Sequence, residues 1–139
     1  MQISAKTDYA CRALVELALH WPNQEPLQIN TISERQRIPV KFLTQILIAL
    51  KQMGYTQSLR GKKGGYLLAV KPAEIKLMDL LSRLGSRDFR LTEEVKSDDV
   101  MTSIWNEINK SIAQKLETIT METIANRKKQ SDKTVSFEI

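Results

Sequence analysis

The chain has 139 residues, of which 42% are hydrophobic and 27% charged, as in a globular protein with one hydrophobic core. With one cysteine and one histidine, a single chain forms neither an internal disulfide nor a Cys/His zinc site. Apolar runs stay well short of the roughly 18 residues that a membrane span needs, and residues 1–7 carry no export signal. We therefore expect a cytoplasmic protein.

Positive charge is concentrated in one part of the sequence. The net charge is +5, and residues 1–72 carry ten Lys and Arg against four Asp and Glu, whereas residues 73–139 carry eleven against twelve. Residues 35–73 include eight basic side chains and no acidic one. A solvated basic face is the ordinary explanation of such a cluster, but the length of the acid-free stretch favours a surface that meets phosphate groups.

Helical periodicity predicts two helices before residue 37. The first covers residues 7–20, where apolar side chains recur every three or four positions, and Pro22 follows its end. The second is short and covers residues 30–36, with Asn30 as its N-cap and Ile32 turned inward.

A third helix is predicted over residues 39–53. Proline is tolerated in the first helical turn, where Pro39 stands, and Gly54 ends the helix. Its predicted buried stripe consists of Phe42, Leu43, Ile46, Leu47 and Leu50. Its opposite face carries Val40, Lys41, Thr44, Gln45, Ile48 and Lys51. One face is thus expected to form core and the other to meet solvent or a ligand.

Two strands joined by a basic glycine-rich turn follow. Residues 55–59 and 66–70 are rich in β-forming residues, and the sequence GKKGG connects them as a hairpin. The turn looks superficially like a nucleotide-binding loop, but a P-loop needs lysine after its second glycine and then Ser or Thr at a helix start. Here Gly65 is followed by Tyr66 and a strand, so we reject that interpretation.

Residues 73–139 are predicted to be mostly helical. A fourth helix covers residues 73–84, a charged loop residues 85–99, a long helix residues 99–116 and a short helix residues 120–127. The apolar stripe of the long helix consists of Val100, Ile104, Trp105, Ile108, Ile112, Leu116 and Ile119. Such a stripe is compatible with a core position, but a helix of this length that contains a tryptophan favours contact with a second copy of the chain.

Two helices, a tight link, a third helix and a basic hairpin are the element order of a winged helix-turn-helix. A helix fits the major groove of DNA, and an adjoining hairpin reaches the backbone or the minor groove. In the third helix, Lys41 is placed to meet a phosphate, and Thr44 and Gln45 to face bases. Gln pairs with adenine through two hydrogen bonds, and the Thr methyl contacts the thymine methyl. The alternative is that Thr44 and Gln45 are only solvent-exposed.

The hairpin tip, residues 58–66, is named the wing here, and it strengthens the DNA interpretation. Arg60, Lys62 and Lys63 stand within four residues of one another with no acidic neighbour. The glycines allow positive φ and a close approach of the backbone. An arginine in this position suits a narrow minor groove, where the potential is most negative.

The sequence resembles the Rrf2-type regulators, a family that includes the iron–sulfur-cluster regulator, the nitric-oxide sensor and the cysteine-metabolism repressor. The matching segments are residues 5–19, 32–68 and 104–125, and the RGKKGGY sequence of the wing is the most specific part. The resemblance implies a homodimer joined through the long helices and a pseudo-palindromic operator in double-stranded DNA. The DNA contacts that it implies here are those of Thr44, Gln45, Ser58 and Arg60.

The chain departs from the cluster-binding members of this family between the fourth helix and the long helix. Those members carry three closely spaced cysteines there, whereas residues 86–100 contain none. A [2Fe–2S] cluster needs about four ligands, mostly thiolates, so we predict no cofactor and no metal. Cys11 is expected to be a small buried residue rather than a redox switch, and His20 a surface residue. A signal would then arrive through a regulatory partner protein or a small-molecule effector.

We therefore predict a mainly α fold with a small β-hairpin wing and a long dimerisation helix. The predicted divisions are a winged-helix unit over residues 1–84, the charged loop 85–99, dimerisation helices over 99–130 and a polar tail over 131–139. The predicted function is that of a sequence-specific transcription regulator, a repressor on the bacterial nucleoid, and not an enzyme. The alternative is a winged-helix protein-interaction module whose basic wing is incidental.

The residues predicted to bind DNA are Lys41, Thr44, Gln45, Ser58, Arg60, Lys62 and Lys63. Those predicted to form the dimer interface are Val100, Ile104, Trp105, Ile108 and Ile112.

Overall fold

A computed structural model of the chain describes residues 3–23, 25–85, 96 and 98–138, with side chains as far as residue 134. These ranges hold six helices and one two-stranded antiparallel sheet. The elements are α1 (Ala5–Ala18), α2 (Ile29–Gln36), α3 (Val40–Gln52), β1 (Thr56–Leu59), β2 (Gly65–Leu68), α4 (Leu77–Leu84), α5 (Val100–Glu117) and α6 (Met121–Glu138). The predicted mainly α fold with a hairpin is confirmed.

Helix α1 lies at the centre of the core. Ala10, Ala13 and Leu14 are fully buried, and the helix packs against α2, α3, α4 and α6. Its first turn is capped by Ser4, whose Oγ accepts from the backbone N–H of Thr7 at 3.2 Å. The Thr7 hydroxyl donates in turn to the carbonyl of Leu84 at 3.2 Å, which ties the start of α1 to the end of α4.

The link between α2 and α3 is tight. Arg37 ends α2 in the left-handed region at φ 53°, Ile38 is buried, and α3 begins directly after Pro39. The sequence prediction for the start of α2 is wrong, because Gln28 is the N-cap and Asn30 lies inside the first turn. The helix starts early because Leu27 pairs with Tyr66 of β2 through two backbone hydrogen bonds of 2.9 and 2.8 Å.

The hairpin pairs Thr56 with Leu68 and Leu59 with Gly65, so both strands are slightly shorter than predicted. Gly65 adopts φ 146°, and a Cβ there would meet the backbone of Leu27 at less than contact distance. Glycine at this position therefore lets residue 27 join the edge of the sheet.

The segment predicted as one helix over residues 73–84 is divided in two. A 3₁₀ turn, Pro72–Glu74, precedes α4, and the residues between them are extended. These extended residues pair with the connection between α5 and α6: the N–H of Met121 donates to the carbonyl of Ile75, and that of Leu77 to the carbonyl of Ile119, both at 2.9 Å. This pairing interrupts the helix.

The last two helices differ in how well the sequence predicts them. Helix α5 begins after Asp99, whose carboxylate accepts from the N–H of Thr102 at 3.1 Å, and it closely follows the predicted range. Helix α6 continues to Glu138, so the prediction that it ends at Arg127 is wrong. Beyond Arg127 its described side chains are exposed, and therefore no apolar stripe marks the helix in the sequence. Most of the predicted charged loop, residues 86–95 and 97, lies outside the described residues.

Candidate nucleic-acid interface

Helix α3 has one buried and one exposed face. Leu43, Ile46, Leu47 and Leu50 are buried as predicted, but Phe42 is 58% exposed, and its predicted place in the core is wrong. Phe42 lies at the edge of the buried stripe, where its ring meets that of Tyr9 of α1 with centroids 6.5 Å apart.

The exposed face of α3 carries the predicted base-reading residues. Lys41, Thr44 and Gln45 are all exposed, and they lie in the N-terminal half of the helix. The Thr44 hydroxyl donates to the carbonyl of Val40 at 2.9 Å. Its hydrogen is therefore used within the helix, while its oxygen is still able to accept a hydrogen bond.

The wing is joined to α3 by a side-chain hydrogen bond. Nζ of Lys51, in the last turn of α3, donates to Oγ of Ser58 in β1 at 2.9 Å. Because Ser58 accepts this bond, its own hydroxyl hydrogen stays available to another acceptor. The contact holds β1 beside the exposed face of the helix.

The tip of the wing is cationic. Arg60, Lys62 and Lys63 are exposed, and in the described part of the chain no acidic side chain forms an ion pair with them. Gly61 turns the chain at φ 106°, and the N–H of Gly64 donates to its carbonyl at 3.0 Å. The structure therefore brings three cations together on an exposed turn, beside the helix that carries Lys41 and Gln45.

Arg35 belongs to the acid-free stretch but is neutralised by an acid from α1. Its Nη1 donates to Oε1 of Glu16 at 3.0 Å, and Nε2 of Gln36 donates to Oε2 at 2.8 Å. Glu16 is only 4% exposed. Sequence reasoning missed this cluster, although a single acid inside the apolar run ALVELAL was a signal for it. His20, at the edge of the cluster, lies 3.2 Å from Arg35 Nη1 and is half-exposed.

The predicted dimer residues lie on α5. Val100, Ile104, Trp105 and Ile108 are 71%, 40%, 58% and 44% exposed in the single chain, and Ile112 is half-buried. Leu116, further along the same stripe, is buried against this chain. The stripe therefore passes from the chain's own core to an uncovered apolar surface. None of the described helices has the length and apolar character of a membrane span.

The family model of Rrf2, described as an iron-dependent transcriptional regulator, matches residues 3–127. The chain belongs to the Rrf2 family. IscR of Pectobacterium atrosepticum, an HTH-type transcriptional regulator, is 31% identical over 134 residues, which cover 92% of this chain and 81% of the relative. This Rrf2 chain is therefore a transcriptional regulator and not an enzyme.

Two solved structures resemble the Rrf2 chain over most of their length. IscR of T. potens superposes with a TM-score of 0.76 at 30% identity, covering 94% of this chain and 90% of that one. CymR, the global cysteine regulator of B. subtilis, superposes with a TM-score of 0.79 at 26% identity, covering 91% and 98%. The winged-helix fold is thus shared with regulators of this family.

The side chains of the Rrf2 chain do not fit an iron–sulfur cluster. Burial, and secondarily the Asp8 carboxylate, raise the pKa of the Cys11 thiol to about 11, against a smaller opposing effect of Arg12. The described residues include no group of three His, Cys, Asp or Glu able to hold a metal, and the sequence of residues 86–97 has neither Cys nor His. Clusters are held mainly by thiolates, and the one thiol here is a protonated group on α1.

Proposed function

We propose that this Rrf2 chain is a homodimeric, sequence-specific DNA-binding repressor that acts on the bacterial nucleoid, in the cytoplasm, without an iron–sulfur cluster. The observation that carries the proposal is the continuous exposed surface formed by α3 and the wing. It presents Lys41, Gln45, Arg60 and Lys62, and within the described ranges none of the cations among them forms an ion pair with an acid. The Lys51–Ser58 hydrogen bond joins its two parts.

The roles of the side chains follow from their chemistry. Lys41, Lys62 and Lys63 neutralise phosphates, which positions the protein without selecting a sequence. Gln45 reads adenine through its amide, and Thr44 offers a hydroxyl oxygen and a methyl group to the bases beside it. At the wing, Ser58 donates to a phosphate, and Arg60 enters the minor groove.

A second copy of the chain covers the apolar stripe of α5. One winged helix reads one half-site, and two copies related by a two-fold axis read two half-sites about one helical turn, or a multiple of it, apart. The exposed fractions of Val100 and Trp105 support this arrangement, because uncovered apolar surface of this kind is stabilised by association. The operator is consequently pseudo-palindromic.

The signal reaches the protein by a route other than iron, because the donor set does not fit a cluster. We propose a regulatory partner protein or a small-molecule effector for this role. Treatment with an iron chelator is expected to leave operator affinity unchanged.

The test of DNA binding is a salt titration on an operator chosen by binding-site selection. If the dimer makes six to ten phosphate contacts, affinity falls by about 10³ to 10⁵ between roughly 50 and 200 mM salt. Arg60→Ala is expected to weaken binding by about 1–3 kcal/mol. Lys128→Ala changes the net charge equally but lies in α6, so it serves as the matched control and should bind like the wild type.

Two outcomes would contradict the proposal. One is that no genomic fragment binds, and the other is that binding does not respond to salt. Either result would favour the alternative, a winged-helix module that recognises another protein.

A further inference from the structure

The exposed face of α3 is apolar at its centre. Ile48 is 53% exposed. Thr44 lies one turn before it and Lys51 one turn after it, and both are exposed. A single exposed apolar residue is ordinary on a protein surface. The exposure of Ile48 therefore indicates a function only in combination with its position on the helix.

Ile48 lies between the base-reading residues and the wing. Residues three and four apart share a helix face, which places Ile48 with Thr44 and Gln45 on one side and with Lys51 on the other. Lys51 is the residue that donates to Ser58 of the wing at 2.9 Å. A molecule that contacts both Gln45 and the wing therefore covers Ile48.

We propose that Ile48 contacts the C5 methyl group of a thymine and thereby contributes to operator selection. This inference rests on the proposed DNA-binding function. In the major groove, thymine differs from the other bases by its O4 acceptor and its methyl group, and an apolar side chain recognises the methyl. Thr44, one turn before Ile48, spends its hydroxyl hydrogen on the carbonyl of Val40, so it offers the bases an acceptor oxygen and a methyl group rather than a donor.

The helix geometry locates this thymine relative to the base that Gln45 reads. Three residues of α-helix advance by about 4.5 Å, and one base pair of DNA advances by about 3.4 Å. We therefore place the thymine one or two base pairs from the pair that Gln45 contacts, on the side toward the wing.

A second copy of the chain is a less suitable partner for Ile48. The uncovered apolar surface that fits a second copy lies on α5, which packs on α4. The neighbours of Ile48 on the exposed face are the cations Lys41 and Lys51 and the amide of Gln45. Cations around one apolar side chain match a base edge bordered by phosphates.

The experiment replaces single thymines of the selected operator by deoxyuridine, which removes only the methyl group. For wild-type protein, we expect one thymine position in each half-site to be sensitive to this change. Deoxyuridine at that position in one half-site should lower operator affinity about fourfold, the factor for burying one methyl group. Deoxyuridine in both half-sites should lower it about 15-fold. Ile48→Ala is expected to bind thymine and deoxyuridine equally at that position. Phe42→Ala, on the flank of the same helix, is the control and should keep the wild-type ratio.

A melting curve for each variant shows whether the fold is intact, and substitution of the exposed Ile48 is expected to leave it so. If Ile48→Ala keeps the wild-type deoxyuridine profile, or weakens all operators equally, the thymine contact is refuted while DNA binding stands. If the wild type shows no salt-dependent operator binding, the proposed function and this contact fail together.

Discussion

Glu16 shows how one residue connects α1 to the end of α2. Its carboxylate is buried in α1 and accepts hydrogen bonds from Arg35 and Gln36, both in the last turn of α2. A buried charge is tolerated only when it is paired and hydrogen-bonded. The cluster therefore fixes the end of α2, and with it the turn at Arg37 from which α3 departs.

Replacing this carboxylate should destabilise the protein. We expect Glu16→Ala to lower the free energy of unfolding by about 1–3 kcal/mol, because two hydrogen bonds to a charged acceptor are lost. The measurement is urea unfolding followed by circular dichroism. The control is Asp8→Ala, which breaks the exposed Asp8–Arg12 pair on the same helix and should cost less than about 0.5 kcal/mol. Equal losses in the two variants would show that burial adds nothing to the Glu16 contacts.

At the scale of elements, sequence patterns correctly predict those helices and strands whose formation depends on residues near one another in the chain. Helix α3 follows its periodic apolar residues, and the hairpin follows its glycines, so both are predictable from the sequence. The Glu16–Arg35 pair joins residues 19 positions apart, and a local sequence pattern does not predict which residue pairs with either of them. The break before α4 likewise depends on pairing with the distant residues Ile119 and Met121.

The candidate site likewise contains some features that local sequence patterns predict and others that depend on tertiary packing. The exposure of Lys41, Thr44 and Gln45 follows from helical periodicity. In contrast, the hydrogen bond from Lys51 to Ser58 and the exposure of Phe42 depend on how α1, α3 and β1 pack. The charge pattern also counted Arg35 with the basic surface, because the acid that neutralises it lies in another helix.

Two glycines of the hairpin allow the energetic cost of an unusual backbone conformation to be distinguished from that of close packing. Both Gly61 and Gly65 have positive φ, but a Cβ at Gly61 meets nothing within 4 Å, whereas one at Gly65 meets the backbone of Leu27. We expect Gly61→Ala to lower the free energy of unfolding by about 1–2 kcal/mol, the cost of the left-handed conformation. Gly65→Ala should cost more, because the bridge between Leu27 and Tyr66 must also move.

Thermal unfolding and amide hydrogen exchange at Leu27 and Tyr66 distinguish the two variants. Only Gly65→Ala should speed exchange of these two amides, which are hydrogen-bonded across the bridge. Similar exchange rates in both variants would mean that the close approach at Gly65 does not support the bridge.

At the scale of the whole molecule, the exposed apolar stripe of α5 bears on whether the chain associates with a second copy. Its stripe is buried at Leu116 and uncovered from Val100 to Ile108. The proposed DNA-binding surface of α3 and the uncovered surface of α5 are formed by different helices. Association through α5 is therefore compatible with DNA binding by both copies.

Charge on the stripe should prevent association. We expect Ile104→Asp with Ile108→Asp to sediment as a monomer at micromolar concentration where the wild type is a dimer, because a dimer would bury two unpaired carboxylates per chain. Both side chains are at least 40% exposed in the single chain, so its fold should persist. Ser103→Asp with Gln114→Asp, on the opposite side of α5, should remain dimeric. A monomeric wild type would contradict the proposed assembly.

Substitutions on the two faces of α3 lower the free energy of unfolding by different amounts. Truncating Leu43 or Leu47 opens a cavity in the core and costs about 2–5 kcal/mol, whereas changes at exposed positions usually stay within about 0.5 kcal/mol. Thr44, Gln45 and Ile48 are all exposed. Under the proposed function, two copies of this regulator that arise by gene duplication are thus free to diverge in target sequence through these positions while both continue to fold. The same freedom makes α3 a practical place to engineer a new operator preference.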